Sequence, residues 1–469
     1  MTSAIVSSPN GQTAVAQLPL RSRLDPVIFY GLFGLLLFAP LAFGSVEPWS
    51  IFVLEAGTAL VFLLWGIRQV QSGEISITSS PLFAPMLVFA ALIGVQLASG
   101  HTAYRYATYS LALLYCAYGL LCFLAVQVLR RTSQVKQLTW IFSAYGAGVA
   151  LFALIQSMAS PTALYGIRTP RSGGWIYGPY VNHNHYAGLV EMLLPIPLVF
   201  ALSRFAQGPR KIMAAAAAAI MAGTIFLSGS RGGMLAFAVQ MAVLVALFAG
   251  RDKDRDKDKG RKAAIALGIF LAITVGLLAW LGGGELTKRM ASIHSETRSE
   301  LSGGLRLAID RDGLRMLREK PLLGWGLGTF PEVYPQFRSF YTNFFINEAH
   351  NDYIQLLVEM GILGLAAMLW FLAATFWQAL KKVDRWADNV NGTVTLAALL
   401  GVIGILVHSF VDFNLEIPAN AALFYVLCMI AAMDPRFSPP RRRLSRRHIV
   451  RHEWLPINPA LDESPSPKS

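Results

Sequence analysis

A histidine with two acidic neighbours is the clearest candidate for proton transfer in this sequence. His350 lies in the stretch EAHNDY, directly before a long apolar segment. A neutral imidazole near pH 7 can accept the proton of a hydroxyl group, and a nearby carboxylate can orient the ring. We therefore predict that His350 is a general base supported by Glu348 and Asp352. The alternative is a single histidine that only forms structural hydrogen bonds.

A second candidate is a cation in a turn rich in glycine and serine. Arg231 belongs to SGSRGG, residues 228–233, which joins two apolar segments with almost no loop between them. A buried arginine is costly unless it is paired, glycines let a ligand approach the backbone, and the start of a helix favours anions. The turn therefore predicts a site for an anion such as phosphate. The alternative is an arginine that reaches lipid phosphates at the membrane surface.

The long polar segment 283–351 contains a predicted amphipathic helix over Leu305 to Glu319. Its leucines can form an apolar stripe, with Gly313 as a weak point, and its arginines recur at i, i+4 and i+7. Such a helix lies naturally along a membrane surface. Arg306 precedes the stripe and follows a flexible SGG sequence. The stripe and the basic face consist of Leu307, Leu314 and Leu317, and of Arg311, Arg315 and Arg318.

A glycine-rich stretch, PLLGWGLGTF, follows at residues 321–330. Its GxGxG pattern is a weak indication of nucleotide binding, because it follows no strand and opens no clear helix. We interpret it as a tight structural turn.

The elements that position these residues are apolar segments of membrane-spanning length. The chain has 469 residues, of which 54% are hydrophobic and 14% charged, where soluble domains carry about 25% charged residues. Segments of about 17–25 apolar residues span a bilayer as helices. The sequence therefore predicts an all-α polytopic membrane protein with about twelve spans, at 26–45, 51–67, 82–98, 109–129, 138–158, 186–203, 212–228, 232–249, 263–282, 353–378, 394–411 and 417–433.

The distribution of basic residues predicts the orientation of these spans. With a cytoplasmic N-terminus, most of the 40 Lys and Arg residues fall in cytoplasmic segments, as the positive-inside rule requires. The chain then divides into a disordered cytoplasmic segment (1–25), a transmembrane domain (26–433) and a basic cytoplasmic tail (434–469). The candidate residues all face the non-cytoplasmic side, and the net charge of +13 reflects topology rather than binding of nucleic acid.

Four sequence stretches, in this order, resemble the O-antigen ligase and polymerase family of bacterial membrane glycosyltransferases. They are NHNHYAGLVEMLLP, SGSRGG, LRLAIDRDGLRMLREKPLLGWGLGTF and EAHNDYIQLLVEMGILGL. The similar region covers about residues 180–375, with a weaker similarity at 405–430. The family is located in the bacterial inner (plasma) membrane and functions in the synthesis of lipopolysaccharide and other cell-surface polysaccharides.

The resemblance implies a GT-C-like helical fold and a glycan donor linked through diphosphate to undecaprenol. The glycan would move to an acceptor hydroxyl at the periplasmic face, by inversion and without a metal or other cofactor. The acceptor would be a glycan, the lipid A core or a protein. The likeness implies that Arg231 and Arg306 hold the diphosphate and that His350 activates the acceptor, while Asn182 and His185 line the site.

Two other functions are compatible with parts of the sequence. Many spans and a charge within the membrane also fit a secondary transporter of a small anion or sugar, but transporter sites tend to lie at the midplane between repeats. A metal site would need ligands from His183, His185, His350 and Asp352, and two histidines at i and i+2 point apart on a helix. The choice between ligation, polymerisation and protein glycosylation stays open.

Overall fold

The computed structural model is almost entirely α-helical. It describes residues 4–7, 13–16, 23–160, 162–169, 175–251, 303–343, 345–383, 386–387 and 389–433, and a few positions between 265 and 276. Two short strands, β1 (Ala4–Ser7) and β2 (Thr13–Ala16), pair in antiparallel register in the N-terminal segment that the sequence predicted to be disordered. Apart from this hairpin, the helical fold class is confirmed for the described residues.

The helices follow one another with short connections in the first half of the chain. They are α1 (Leu24–Leu41), α2 (Pro48–Ser72), α3 (Phe83–Ala98), α4 (Arg105–Val128), α5 (Thr132–Ala159), α6 (His183–Leu193), α7 (Pro195–Leu202), α8 (Pro209–Ser228) and α9 (Arg231–Arg251). The second half contains α10 (Gly303–Glu319), α11 (Phe330–Val333), α12 (Asp352–Val383), α13 (Val390–His408) and α14 (Pro418–Ala432).

The apolar helices coincide with the predicted spans wherever the structure describes the chain. Among the described residues, eight helical spans are long and apolar enough to cross a membrane, and α6 and α7 together form one of them, with 20 residues. Three shorter apolar helices, α3, α9 and α14, occupy further predicted positions. The predicted span 263–282 lies outside the described residues except for isolated positions. The total of twelve therefore stays a prediction.

The centre of the bundle consists of helices that are buried on every side. In the α6–α7 span 94% of the residues are buried, compared with 22% in α2, which exposes large apolar side chains. All residues of α14 are buried as well. An apolar cavity lined in part by Leu138, Phe142, Phe200 and Leu427 lies in this core. Because this centre is wrapped by protein, polar residues at its end can be positioned rigidly.

Helix α10 is present as predicted, but it packs through a different face. Leu307 and Leu314 are exposed, on the same side as the three basic residues of the predicted face. The buried face instead carries Ile309 and Met316. Gly313 lets α10 approach α12, because a Cβ there would lie 2.6 Å from Ile354. Leu307 and Leu314 of the predicted stripe are thus free to meet a membrane surface, while close contact with α12 buries a second face that the sequence did not indicate.

The glycine-rich stretch 321–330 forms a structural turn that packs into a break in α12. At Gly361 the helix is interrupted by a positive φ of 63°. The buried carboxylate of Glu359 accepts hydrogen bonds from the backbone N–H groups of Gly328 (2.7 Å) and Phe330 (3.2 Å). The backbone N–H of Trp325 donates to the carbonyl of Val358 at 2.9 Å. The backbone amides of the turn therefore bind groups of the protein itself, in agreement with the interpretation of this stretch as a structural turn.

Candidate functional site

One short segment of the chain contacts most of the candidate residues. It runs from His408 at the end of α13 to Asn414, where a 3₁₀ turn leads into α14, and we call it the 408–414 linker. His408, Asp412 and Asn414 are almost completely buried. The polar side chains of the linker therefore lie inside the end of the bundle, whereas Phe410 and Val411 between them are exposed.

His350 lies beside the middle of this linker. Its Nδ1 is 3.7 Å from Oδ1 of Asp412, and its ring meets that of Phe413 edge-on with 4.8 Å between centroids. The backbone of His350 has a φ of +56°, which is unfavourable for a residue with a side chain. Strained conformations of this kind concentrate at functional sites because the surrounding structure must hold them. Asp412 and Phe413 provide such contacts here.

The carboxylate partner of His350 differs from the two that the sequence suggested. In the described part of the chain, neither Glu348 nor Asp352 forms a hydrogen bond or ion pair with His350. Asp352 instead binds the linker region, since its Oδ2 accepts the N–H of Leu415 at 3.2 Å and its own N–H donates to the carbonyl of Ser409 at 3.0 Å. Asp352 thus begins α12 and joins it to the segment that follows α13.

Electrostatics separate the carboxylates of this region into two kinds. Burial by itself would raise the pKa of Asp412, but the close contact with His350 and the nearby His185 and Arg306 hold its pKa below the usual range. Asp412 is therefore ionised at neutral pH. Burial and the charge of Glu416 raise the pKa of Glu348 to about 8, so this group is mostly protonated there.

Both candidate arginines lie next to the linker. Nη1 of Arg306, from the first turn of α10, donates to the carbonyl of Val411 at 2.7 Å. Arg231 is exposed at the first position of α9. The following residue, Gly232, lies so close to His408 and Val411 that a side chain there would collide with the histidine ring. The two arginines, which are 75 positions apart in sequence, therefore flank one backbone segment.

Of the two remaining candidates, His185 contacts the linker directly and Asn182 contacts His185. The His185 ring lies 4.6 Å from that of Phe413, and its Nδ1 is 3.4 Å from Oδ1 of Asn414. Asn182 caps α6, because its Oδ1 accepts the N–H of Asn184 at 2.8 Å, and its Nδ2 lies 3.3 Å from Nε2 of His185. His183 is directed elsewhere and packs against Trp175.

Several buried polar atoms around the linker have no hydrogen-bond partner among the described residues. In native proteins such atoms are few, and each one calls for an explanation such as a ligand-binding or catalytic role. Their concentration beside His350 indicates a site built to contact a polar ligand. They are Nε of Arg306, Oδ1 of Asp310, Nδ1 of His350, Oδ2 of Asp412 and Nδ2 of Asn414.

The family comparison covers the two arginines and the histidine. Residues 216–369 match the family model described as O-Antigen ligase. The resemblance to the O-antigen ligase family is confirmed. No curated protein matches the chain. The O-antigen ligase region begins within α8 and ends within α12, so it contains Arg231, Arg306 and His350 but not the linker.

Together, the O-antigen ligase region and the apolar helices show a multi-pass membrane protein of the broad ligase or polymerase type. The sequence analysis gave no role to Asp412, Phe413 or Asp310. For Asp412 a signal existed, because acidic residues at the edge of an apolar span usually have a function. The ring contact of Phe413 has no sequence signal.

Proposed function

We propose that this protein transfers a glycan from an undecaprenyl-diphosphate-linked donor to an acceptor hydroxyl at the periplasmic face of the bacterial inner membrane. The activity is of the O-antigen ligase or polysaccharide polymerase type, on a GT-C-like scaffold. The observation that carries the proposal is that a histidine with an ionised partner and two arginines lie beside one buried linker. His350 with Asp412 can activate a hydroxyl nucleophile, and the two arginines can bind a diphosphate leaving group.

Each of these four side chains has its own role in the proposed reaction. Asp412 orients His350 with Nδ1 toward the carboxylate, which leaves Nε2 to accept the proton of the acceptor hydroxyl. The hydroxyl oxygen attacks the anomeric carbon as the bond between that carbon and the diphosphate oxygen breaks. Attack opposite the leaving group inverts the configuration. Arg231 and Arg306 stabilise the negative charge that develops on the departing lipid diphosphate.

A site at the periplasmic face of the membrane is consistent with a donor linked to a lipid diphosphate. A lipid diphosphate brings its own leaving group across the membrane, so no nucleotide is needed at the site. The glycine-rich turn agrees with this, since backbone amides at Gly328 and Phe330 bind the Glu359 carboxylate. The acceptor is a hydroxyl of another glycan, of the lipid A core or of a protein.

The proposal is tested by transfer assays with purified protein in lipid nanodiscs, a lipid-linked glycan donor and a hydroxyl acceptor. We expect His350→Ala to lower the rate on the order of 10²–10⁴-fold, as for other general bases, with donor binding retained. Arg231→Lys and Arg306→Lys should each weaken transfer strongly, because lysine cannot make a planar two-pronged contact. Arg311→Lys, on the exposed face of α10, is the matched control. A folded His350→Ala protein with wild-type rate would exclude the mechanism.

A further inference from the structure

A buried acid–histidine pair next to the Arg231 turn has no part in the chemistry described above. Nδ1 of His408 lies 3.2 and 3.1 Å from the two carboxylate oxygens of Glu191, on α6. Both side chains are almost completely buried. Ionisable residues in this setting are costly and usually have a function. The pair therefore requires a reason beyond packing.

The other side of the His408 ring faces the turn itself. Its Nε2 lies 3.5 Å from Oγ of Ser230, and that oxygen accepts the N–H of Gly233 at 3.1 Å. Ser230 thereby caps the start of α9. The serine hydroxyl can accept from Gly233 and at the same time donate its own proton to Nε2 of His408. His408 then carries its own proton on Nδ1 and donates it to Glu191.

Close packing adds a second constraint on the same turn. The ring of His408 occupies the place where a side chain at position 232 would lie, so the backbone passes directly against the imidazole. Moving or rotating the ring would therefore move Gly232 and, with it, the neighbouring Arg231. His408 therefore holds the turn in two ways, through its hydrogen bonds and through its steric contact with Gly232.

We propose that Glu191 and His408 are positioning residues that hold, through Ser230 and Gly232, the turn that directs Arg231 toward the lipid diphosphate. This inference rests on the proposed function, because it assumes that Arg231 binds the donor. Glu191 fixes the ring of His408, and the ring fixes the path of the chain from Ser230 into α9. Neither side chain needs to touch the substrate.

The first test measures binding of a probe, farnesyl diphosphate, to purified protein in nanodiscs without turnover. Glu191→Leu leaves His408 without its buried acceptor, and we expect the affinity for the probe to fall on the order of ten- to a hundredfold, the effect of losing a hydrogen bond to a charged group. Glu191→Gln still offers an acceptor and should recover most of the affinity. Thr395→Val, a buried polar change elsewhere on α13, is the matched control and should bind as the wild type does.

A double-mutant cycle separates positioning from general destabilisation. If Glu191 acts through Arg231, then Glu191→Leu combined with Arg231→Lys should bind no worse than Arg231→Lys alone, whereas independent effects would add. Additive losses, or Glu191→Leu protein that is folded and binds the probe normally, would overturn the positioning role. If the wild type does not bind the diphosphate, or Arg231→Lys binds it equally well, the proposed function itself fails. Ser230→Ala, which keeps Glu191 intact, repeats the cycle if Glu191→Leu protein does not fold.

Discussion

At the scale of single residues, the imidazole of His350 is held between a buried carboxylate and an aromatic ring. Asp412 and Phe413 lie in the 408–414 linker, more than 60 positions away in sequence. Nδ1 of His350 is 3.7 Å from Oδ1 of Asp412, and the ring centroids of His350 and Phe413 are 4.8 Å apart. A left-handed backbone at His350 requires such support. The base in the proposed reaction is therefore prepared by tertiary contacts and not by its sequence neighbours.

Removing the charge of Asp412 should impair transfer without unfolding the protein. Asp412→Asn keeps the shape of the side chain but loses the ionic contact with His350, so we expect a rate loss on the order of ten- to a hundredfold. The measurement is the initial rate of glycan transfer with saturating donor. Asp312→Asn is the control, since that buried carboxylate binds Tyr334 and Ser339 instead. If Asp312→Asn and Asp412→Asn slowed transfer equally, Asp412 would have no specific role.

Glu348 should make the stability of the protein depend on pH. The pKa of this carboxyl is raised by burial and by Glu416 to about 8 in the folded protein, above its ordinary value of 4.5. Between these two values the folded state binds more protons than the unfolded state, so stability falls as the pH rises. Glu348→Gln cannot ionise and should therefore unfold at a higher temperature than the wild type at pH 8.5. The difference should shrink toward pH 5, and a constant difference across this range would contradict the prediction.

At the scale of elements, the glycine-rich turn and the break in α12 stabilise each other. The turn at residues 321–330 packs where Gly361 interrupts the helix, and the Glu359 carboxylate binds amides of the turn. Gln355, one helical turn earlier on α12, accepts the N–H of Ala349 at 2.8 Å. The same helix segment thus holds both the turn and the residue that precedes His350, which links the stability of the turn to the geometry of the site.

A methyl group at Gly324 should disrupt this junction. Gly324 has a φ of +69°, and a Cβ there would lie 2.5 Å from the backbone of Glu359. Gly73→Ala is a matched control, because Gly73 also has a φ of +69° but has no atoms within 4 Å of its Cβ position. Each variant should lose about 1–2 kcal/mol of stability for the backbone conformation alone. Gly324→Ala should lose clearly more, as measured by thermal unfolding in detergent, and an equal loss in both would show that the packing is unimportant.

At the scale of the whole molecule, a ring of lipid-facing helices surrounds a core that is buried on every side. The α6–α7 span and α14 fill the centre, and the linker before α14 places its polar residues at one end of that core. Rigid apolar helices fix the ends of the segments that carry His185, Arg231 and Asp412. A flexible loop could not hold unpaired polar groups in the same way.

The orientation of the molecule in the membrane can be tested with reporter fusions. The positive-inside rule predicts that fusions after Arg261 and near Arg446 report a cytoplasmic position, whereas a fusion near Ala291 reports an external one. The measurement compares a reporter active only outside the cytoplasm with one active only inside. An external position for the tail would place His350 and both arginines on the cytoplasmic side. The proposed lipid-linked donor would then be on the wrong face for this site.

The sequence by itself determined the helical class, the positions of the spans in the described chain, the resemblance to the O-antigen ligase family and the glycine-rich turn. These properties depend on apolar segments and on short motifs, which are local. Only the tertiary structure decided that Asp412 rather than Glu348 or Asp352 accompanies His350, which face of α10 is buried, and that Glu191 meets His408. Such contacts join distant parts of the chain, and because the central helices are buried on every side, their periodicity does not reveal which face meets which neighbour.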